Sequence, residues 1–237
     1  MFLNGPLSAA LDRIADRAAD VRRAFDPGAI PDRDDVAASH APSPALDPLS
    51  VAIPDGAYAV VAGTRGNGYT RDGSFSIRAG HLVDSDGRAV LGTTNGGSVV
   101  ELSIDPVDAA LGRASNARVE ADGSLAYDRW SIDPRSGARE AQRVVAGRIA
   151  LARFPAGTKL ERQRDGTVAA GPSIVPHVGA PSDGSFAALQ TLRRTGSGID
   201  VDASLARLKD AYKAFDALQA AQAAKGHLGK TAMDLLK

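Results

Sequence analysis

Apolar positions along the chain follow three different periods. From Leu7 to Phe25 they recur as Leu7, Leu11, Ile14, Ala18, Val21 and Phe25, alternating steps of four and three residues. That is the a/d spacing of an amphipathic helix. Asp12, Arg13, Asp16, Arg17, Asp20, Arg22 and Arg23 fill its other faces. Pro6 suits the first turn, and Asp26-Pro27-Gly28 stops the run. The same spacing returns near the other end, in Val201, Leu205, Leu208, Tyr212, Phe215 and Gln219, with Leu218 widening the face. Alanine is dense from Ala214 to Ala224 and favours helix there. Between the helices, from about Ser50 to Ala187, the period falls to two. Phe75 with Ile77, Val100 with Leu102 and Ile104, and Ile149 with Leu151 are each predicted to share one face of a strand. Asp-Gly pairs at 55–56, 72–73, 86–87, 122–123, 165–166 and 183–184 punctuate this region as hairpin turns.

The pattern predicts a mainly β protein with terminal α-helices: an antiparallel sandwich or barrel-like body, plus a discontinuous two-helix, coiled-coil-like domain. The boundaries are an N-terminal helix over 1–27, a flexible linker over 28–48, a β-rich body over 49–190 and a C-terminal helix over 191–237. The linker holds Pro31, Pro42, Pro44 and Pro48 with Asp32, Asp34 and Asp35, and too few large apolar groups to repay its own ordering. Two helices alone make a poor core, so the stripes are expected to be buried against each other and against neighbouring copies. The residues so assigned are Leu7, Leu11, Ile14, Val21, Phe25, Leu205, Leu208, Tyr212, Phe215 and Leu218.

Composition narrows the chemistry. Lysine plus arginine and aspartate plus glutamate both number 28, so no basic surplus marks a nucleic-acid or anionic-membrane surface. Cysteine is absent, which removes disulfides, thiolate metal sites and a thiol nucleophile. No apolar run is long enough to span a bilayer, and the first ten residues lack the basic-then-apolar layout of a cleaved signal. The histidines, His40, His81, His177 and His227, stand apart, so packing or surface roles are expected rather than a metal site. Asp84-Ser85-Asp86-Gly87 begins like a calcium loop, but position twelve is Asn95, and a hairpin turn is the expected structure. Gly63–Gly68 lacks the Lys-Ser/Thr of a phosphate loop and is expected to connect two strands. No Gly-x-Ser-x-Gly elbow occurs. A non-enzymatic protein without cofactors is expected.

One block is specific enough to name. Tyr69-Thr70-Arg71-Asp72-Gly73-Ser74-Phe75, followed by Leu82, Asp86-Gly87 and Leu91-Gly92, resembles the YTRDGSF signature of the flagellar basal-body rod and hook protein family. Val51–Val61 resembles the strand preceding that signature, and Gly147–Phe154, with Leu151, Arg153 and Phe154, resembles the family's later G-x-I-x-L-A-R-F strand. The likeness covers most of the chain from about residue 49. The Asn-rich segment that follows the first helix in that family has no counterpart at Phe25–Pro31. The resemblance implies a rod-type structural subunit that polymerises with itself and related rod and hook subunits. It further implies passage through the flagellar export apparatus without signal cleavage, and residence in the periplasm-spanning rod. The other reading is a soluble accessory or adhesive β module whose helices pack on its own body.

Overall fold

The computed structural model describes residues 5–29, 42–63, 66–93, 98–163 and 165–234. Most of the expected linker, 30–41, lies outside them. The chain divides into two compact units: residues 1–25 with 199–237, and residues 26–198.

The first unit is helical. Helix α1 runs Gly5–Arg23, and a second long helix, Val201–Asp234, closes the chain. The two pack on each other, and their amphipathic faces explain why.

The second unit is the β body. Its first strands are β1 (Ser43–Pro44), β2 (Val51–Ala52), β3 (Tyr58–Gly63) and β4 (Gly66–Thr70). The next are β5 (Ser76–Arg78), β6 (His81–Val83), β7 (Leu91–Thr93) and β8 (Val99–Glu101). A single-turn helix, α2 (Pro106–Ala110), is capped by the Asp105 carboxylate, which accepts from Val107 N–H. Then come β9 (Ala114–Val119), β10 (Ser124–Ile132), β11 (Arg139–Ile149) and β12 (Leu151–Arg153). The body ends with β13 (Leu160–Arg162), β14 (Val168–Ala170), β15 (His177–Gly179), β16 (Gln190–Thr191) and β17 (Arg193–Arg194). The closing helix is α3.

The pairings between these named strands are antiparallel. One sheet has five strands, ordered β8-β7-β11-β10-β9, and another has six, ordered β13-β14-β4-β3-β12-β15. The chain changes sheet at Ala150, between β11 and β12. Alternation along β3 feeds both faces: Ala59 and Val61 join the main core with Phe75, Leu82, Leu125, Tyr127, Ile149 and Leu151, while Val60 joins Leu91, Ala150 and Ala152.

The structure bears out the mainly β class with a helix at each end, and corrects several details. The last helix starts at Val201 rather than 191. Residues 190–194 belong to the body, where β16 pairs with β2 and β17 with β1. Within the span expected to be a flexible linker, Ser43–Pro44 is paired strand, and Gly28 and Ala29 are tied down by hydrogen bonds. Val100 is exposed while Leu102 and Ile104 are buried, because the chain leaves the β7 ladder after Glu101. Five of the six Asp-Gly pairs place glycine at positive φ, as tight turns require. Gly73 is the exception and serves another purpose, described below.

Candidate functional site

The residues of the YTRDGSF block form a knot at the place where the chain enters and leaves the β body. Thr70, Arg71 and Asp72 are buried although polar. The Arg71 guanidinium donates to the carbonyl oxygens of Ile53, Pro54 and Ala57 and to the Asp55 carboxylate, at 3.1–3.3 Å. Burial holds the Arg71 pKa below the usual arginine value, while Tyr58 and Asp55 pull it back up. Its Nε finds no partner among the described residues. Asp72 accepts from Ser74 N–H at 2.8 Å and from the Ser85 hydroxyl at 2.5 Å. Burial pushes its carboxyl above the ordinary range, the Ser85 and Ser74 hydrogen bonds oppose that, and the nearby Asp84 charge adds to it.

Gly73 is needed for space, not for a turn. A Cβ there would lie 1.8 Å from the Val51 carbonyl oxygen, because Val51 N–H donates to Gly73 O across the same gap. Gly28 docks on the other side of the loop. It sits at φ +65°, and a Cβ would fall 2.3 Å from the Arg71 backbone. Its N–H donates to Thr195 O, Gly198 N–H donates to Ala29 O, and Ile53 N–H donates to the Thr195 hydroxyl. Incoming and outgoing chain are thus bonded to each other on top of the motif.

The second half of the block is equally structural. Asp86-Gly87 forms a turn with Gly87 at φ +84°, but Asp86 is only its exposed rim. Fully buried Asp84 is the anchor, accepting from the N–H groups of Asp86 and Arg88 and from the Arg88 guanidinium. An Arg four residues beyond the Asp, across an Asp-Gly turn, was the available signal for this pair. Gly92 lets β7 pass Leu102 and the Arg148 carbonyl, which a Cβ would meet at 2.4 and 2.6 Å. Phe75, Leu82, Leu91 and Leu151 are buried as expected.

The later motif meets the first in space. Because β3 lies between β4 and β12, Phe154 stands edge-on to both Tyr69 and Tyr58, with ring centroids 4.9 and 5.7 Å apart. Arg71 approaches the Tyr58 ring, and Arg153 lies outside over Phe186, which stacks on His177. A groove of about 250 Å³ borders the knot along Ala52–Asp55 and along Ala187, Ala188 and Gln190, and Asp55 is its one ionisable residue among those described. No group of three or more His, Asp or Glu converges among the described residues. His40 and the side chain of His227 lie outside them.

No family model matches this chain, and no curated protein matches it. The likeness to rod and hook proteins therefore rests on the motif residues themselves, and the geometry gives most of them a structural reason.

The helical unit holds the remaining candidates, and here the structure redraws the seam. On α3 the more buried positions are Ser204, Leu208, Ala211, Phe215, Leu218 and Gln222, a run of four-three steps. On α1 they include Leu7, Ala10, Ile14 and Val21, with Ala24 just past the helix end. Ile14 is thus buried, and Leu7, Val21, Leu208, Phe215 and Leu218 are half-buried. Leu11, Phe25, Leu205 and Tyr212 are not: they stay 39%, 80%, 47% and 51% exposed. Relative to the seam Leu11, Leu205 and Tyr212 occupy the next heptad position, e, while Phe25 lies in the turn just past the end of α1. The small residues Ala10, Ser204 and Ala211 are among the more buried positions of the two helices, and the bulky ones beside them are exposed.

Proposed function

We propose that this chain is a structural, non-enzymatic subunit of the bacterial flagellar rod, of the rod and hook type, working by polymerisation. The observation that carries the reading is the second apolar stripe on the helical unit. A two-stranded coil needs apolar residues only at a and d; an a/d/e face is what a larger bundle buries. Leu11, Phe25, Leu205 and Tyr212 together expose roughly 400 Å² of apolar side chain, worth about 10 kcal/mol gross. That only matches the cost of association, about 4–15 kcal/mol. One such contact is marginal and repeated contacts are stable, the behaviour of a subunit that is free when dilute and fixed once it joins a lattice. Head-to-tail contacts that do not close on themselves give a filament. The YTRDGSF and LARF likenesses support the same reading, as does the tightly knotted body, which suits a wall element that must transmit torque. The partners are then the same chain, related rod and hook subunits and the flagellar export apparatus; the location is the rod.

The test is deletion of the gene in its source bacterium, with motility scored and basal bodies imaged. Non-motile cells with absent or truncated rods are expected. Normal swimming with intact rods would reject the axial role and leave an accessory β module.

A further inference from the structure

We propose that the outer edge of β11 is a strand-addition site that pairs with the same edge of a second copy of this chain. Strand β11 pairs with β10 along its whole length, Ser124–Ile132 against Arg139–Arg148. On its other side it meets β7 only at Arg148 and Ile149. From Arg139 to Gly147 that second edge has no strand beside it among the described residues.

The bonding pattern shows which groups face outward. In the hairpin turn Asp133 N–H donates to Ala138 O, and on the far side of β10 Trp130 N–H donates to Arg113 O. Bonded and non-bonded pairs alternate along an antiparallel ladder. The Trp130↔Ala141 pair is therefore a non-bonded one, and Arg139, Ala141, Arg143 and Val145 direct their N–H and C=O groups away from β10. Natural sheets shorten, kink, charge or cover such edges, and here Arg139, Glu140 and Arg143 supply charge without removing the bonding groups. The opposite edge of this sheet is treated differently: β9 is kinked by Asn116 at φ 50°, and its last N–H, on Val119, is bonded to Pro48 O. The outer strands β13 and β15 of the six-stranded sheet have three residues each. Among the described residues the β11 edge is the one that combines length with bonding groups that no strand pairs.

The occupant follows from the sequence of the edge. Two β11 strands related by a two-fold axis pair antiparallel, and outward-facing residues must meet outward-facing residues. Centring the pair on Arg143 opposes Arg143 to itself, and centring it on Ala141 opposes Arg139 to Arg143; like charges directly opposite are destabilising. Centring it on Gln142 sets Arg139 against Val145 and Ala141 against Arg143, twice each. No like charges then face each other, the Arg139 stem covers half-exposed Val145, and about eight backbone hydrogen bonds form. The contact is independent of the axial reading: a two-fold interface closes on itself and joins free subunits in pairs instead of building a filament.

The chain has no cysteine, so single cysteines report the register. Full-length Gln142→Cys is expected to give a disulfide-linked dimer under mild oxidation, because residue 142 faces its own copy across a non-bonded pair, where Cβ atoms come within about 4.5–5.5 Å. Glu140→Cys, facing Val144, is expected not to. Ala141→Pro removes an outward N–H without touching the β10 ladder, and sedimentation should show pairing weakened by about tenfold or more. The same measurements on a Tyr212→Asp background separate this contact from helix-driven association: the 142-specific cross-link persists there. A monomer at all concentrations, equal cross-linking at 140 and 142, or dimerisation unaffected by Ala141→Pro would each overturn the proposal.

Discussion

Removing the Arg71 side chain tests whether the motif is the keystone of the β body. In Arg71→Ala four acceptors lose a hydrogen bond at once, the Pro54 carbonyl keeping the one from Ala57 N–H. Asp55 is 75% exposed and regains water, so its ion pair counts for little. The carbonyls of Ile53, Pro54 and Ala57 are more enclosed. Their bonds are long, 3.3 Å each, so about 1 kcal/mol apiece is appropriate. The side chain is only 4% exposed, and the space it leaves adds about 1–2 kcal/mol. The sum, about 4–5 kcal/mol, is a large part of the roughly 5–15 kcal/mol that holds a domain folded. At about 2–4 °C per kcal/mol for a chain of this size, Tm falls by about 8–20 °C. Differential scanning calorimetry of the full chain measures it. Arg71→Lys, with one compact ammonium in place of a fork, should recover less than half of the loss. A Tm for Arg71→Ala within about 3 °C of the parent would refute the account, since the carbonyls of Ile53 and Ala57 would then have found other partners.

Gly28→Ala and Gly73→Ala should each destabilise the body by more than about 2 kcal/mol in urea melts, since the added methyl meets backbone that no rotamer change can move. Asp72→Asn keeps the contacts to Ser74 and Ser85 but removes a carboxylate whose folded pKa is raised. Protons bind the folded state better than the unfolded one at this site. The parent therefore gains stability from Asp72 as pH falls and loses it as pH rises through the folded pKa. The variant should melt higher than the parent at about pH 7, with the difference shrinking toward about pH 4. Tyr212→Asp, at a position exposed within the chain, should leave calorimetric and circular-dichroism signals intact. It should also cut assembly by about a hundredfold or more, read by light scattering, since it removes about 2–3 kcal/mol of apolar contact. Loss of helix content in this variant would mean that Tyr212 serves the helical unit itself.

Much of the fold was legible because its signals are local. Period two against period three-and-a-half separated body from helices, and Asp-Gly turns marked most of the hairpins. The misses share a cause: a sequence pattern weights residues by size and type, whereas space is shared between segments far apart in the chain. The heptad reading chose Leu11, Phe25, Leu205 and Tyr212 because they are large. The more buried positions beside them, Ala10, Ser204 and Ala211, are small. Gly73 carries the same dipeptide signature as five true turns, and only the approach of Val51 shows its different purpose. Asp84 reads in the sequence only as the start of a turn ending in Asp86-Gly87, although burial and the Arg88 pair make it the fixed point of that turn. The anchoring of Gly28 and Ala29 by Thr195 and Gly198 could not be read at all, since nothing local announces it.

That last contact bears on how the protein folds. For the two helices to find each other, the whole of Asp26–Gly198 must be closed as a loop, which by polymer statistics costs about 4–5 kcal/mol in chain entropy. Once the body has formed, the bonds between Gly28 and Thr195 and between Ala29 and Gly198 have already met that cost. The helices then behave as the arms of a short hairpin and can join in microseconds. Helix pairing is thereby made conditional on a finished body. A chain that has not completed its β unit carries two unpaired amphipathic arms, and any substitution that loosens the knot delays them in proportion.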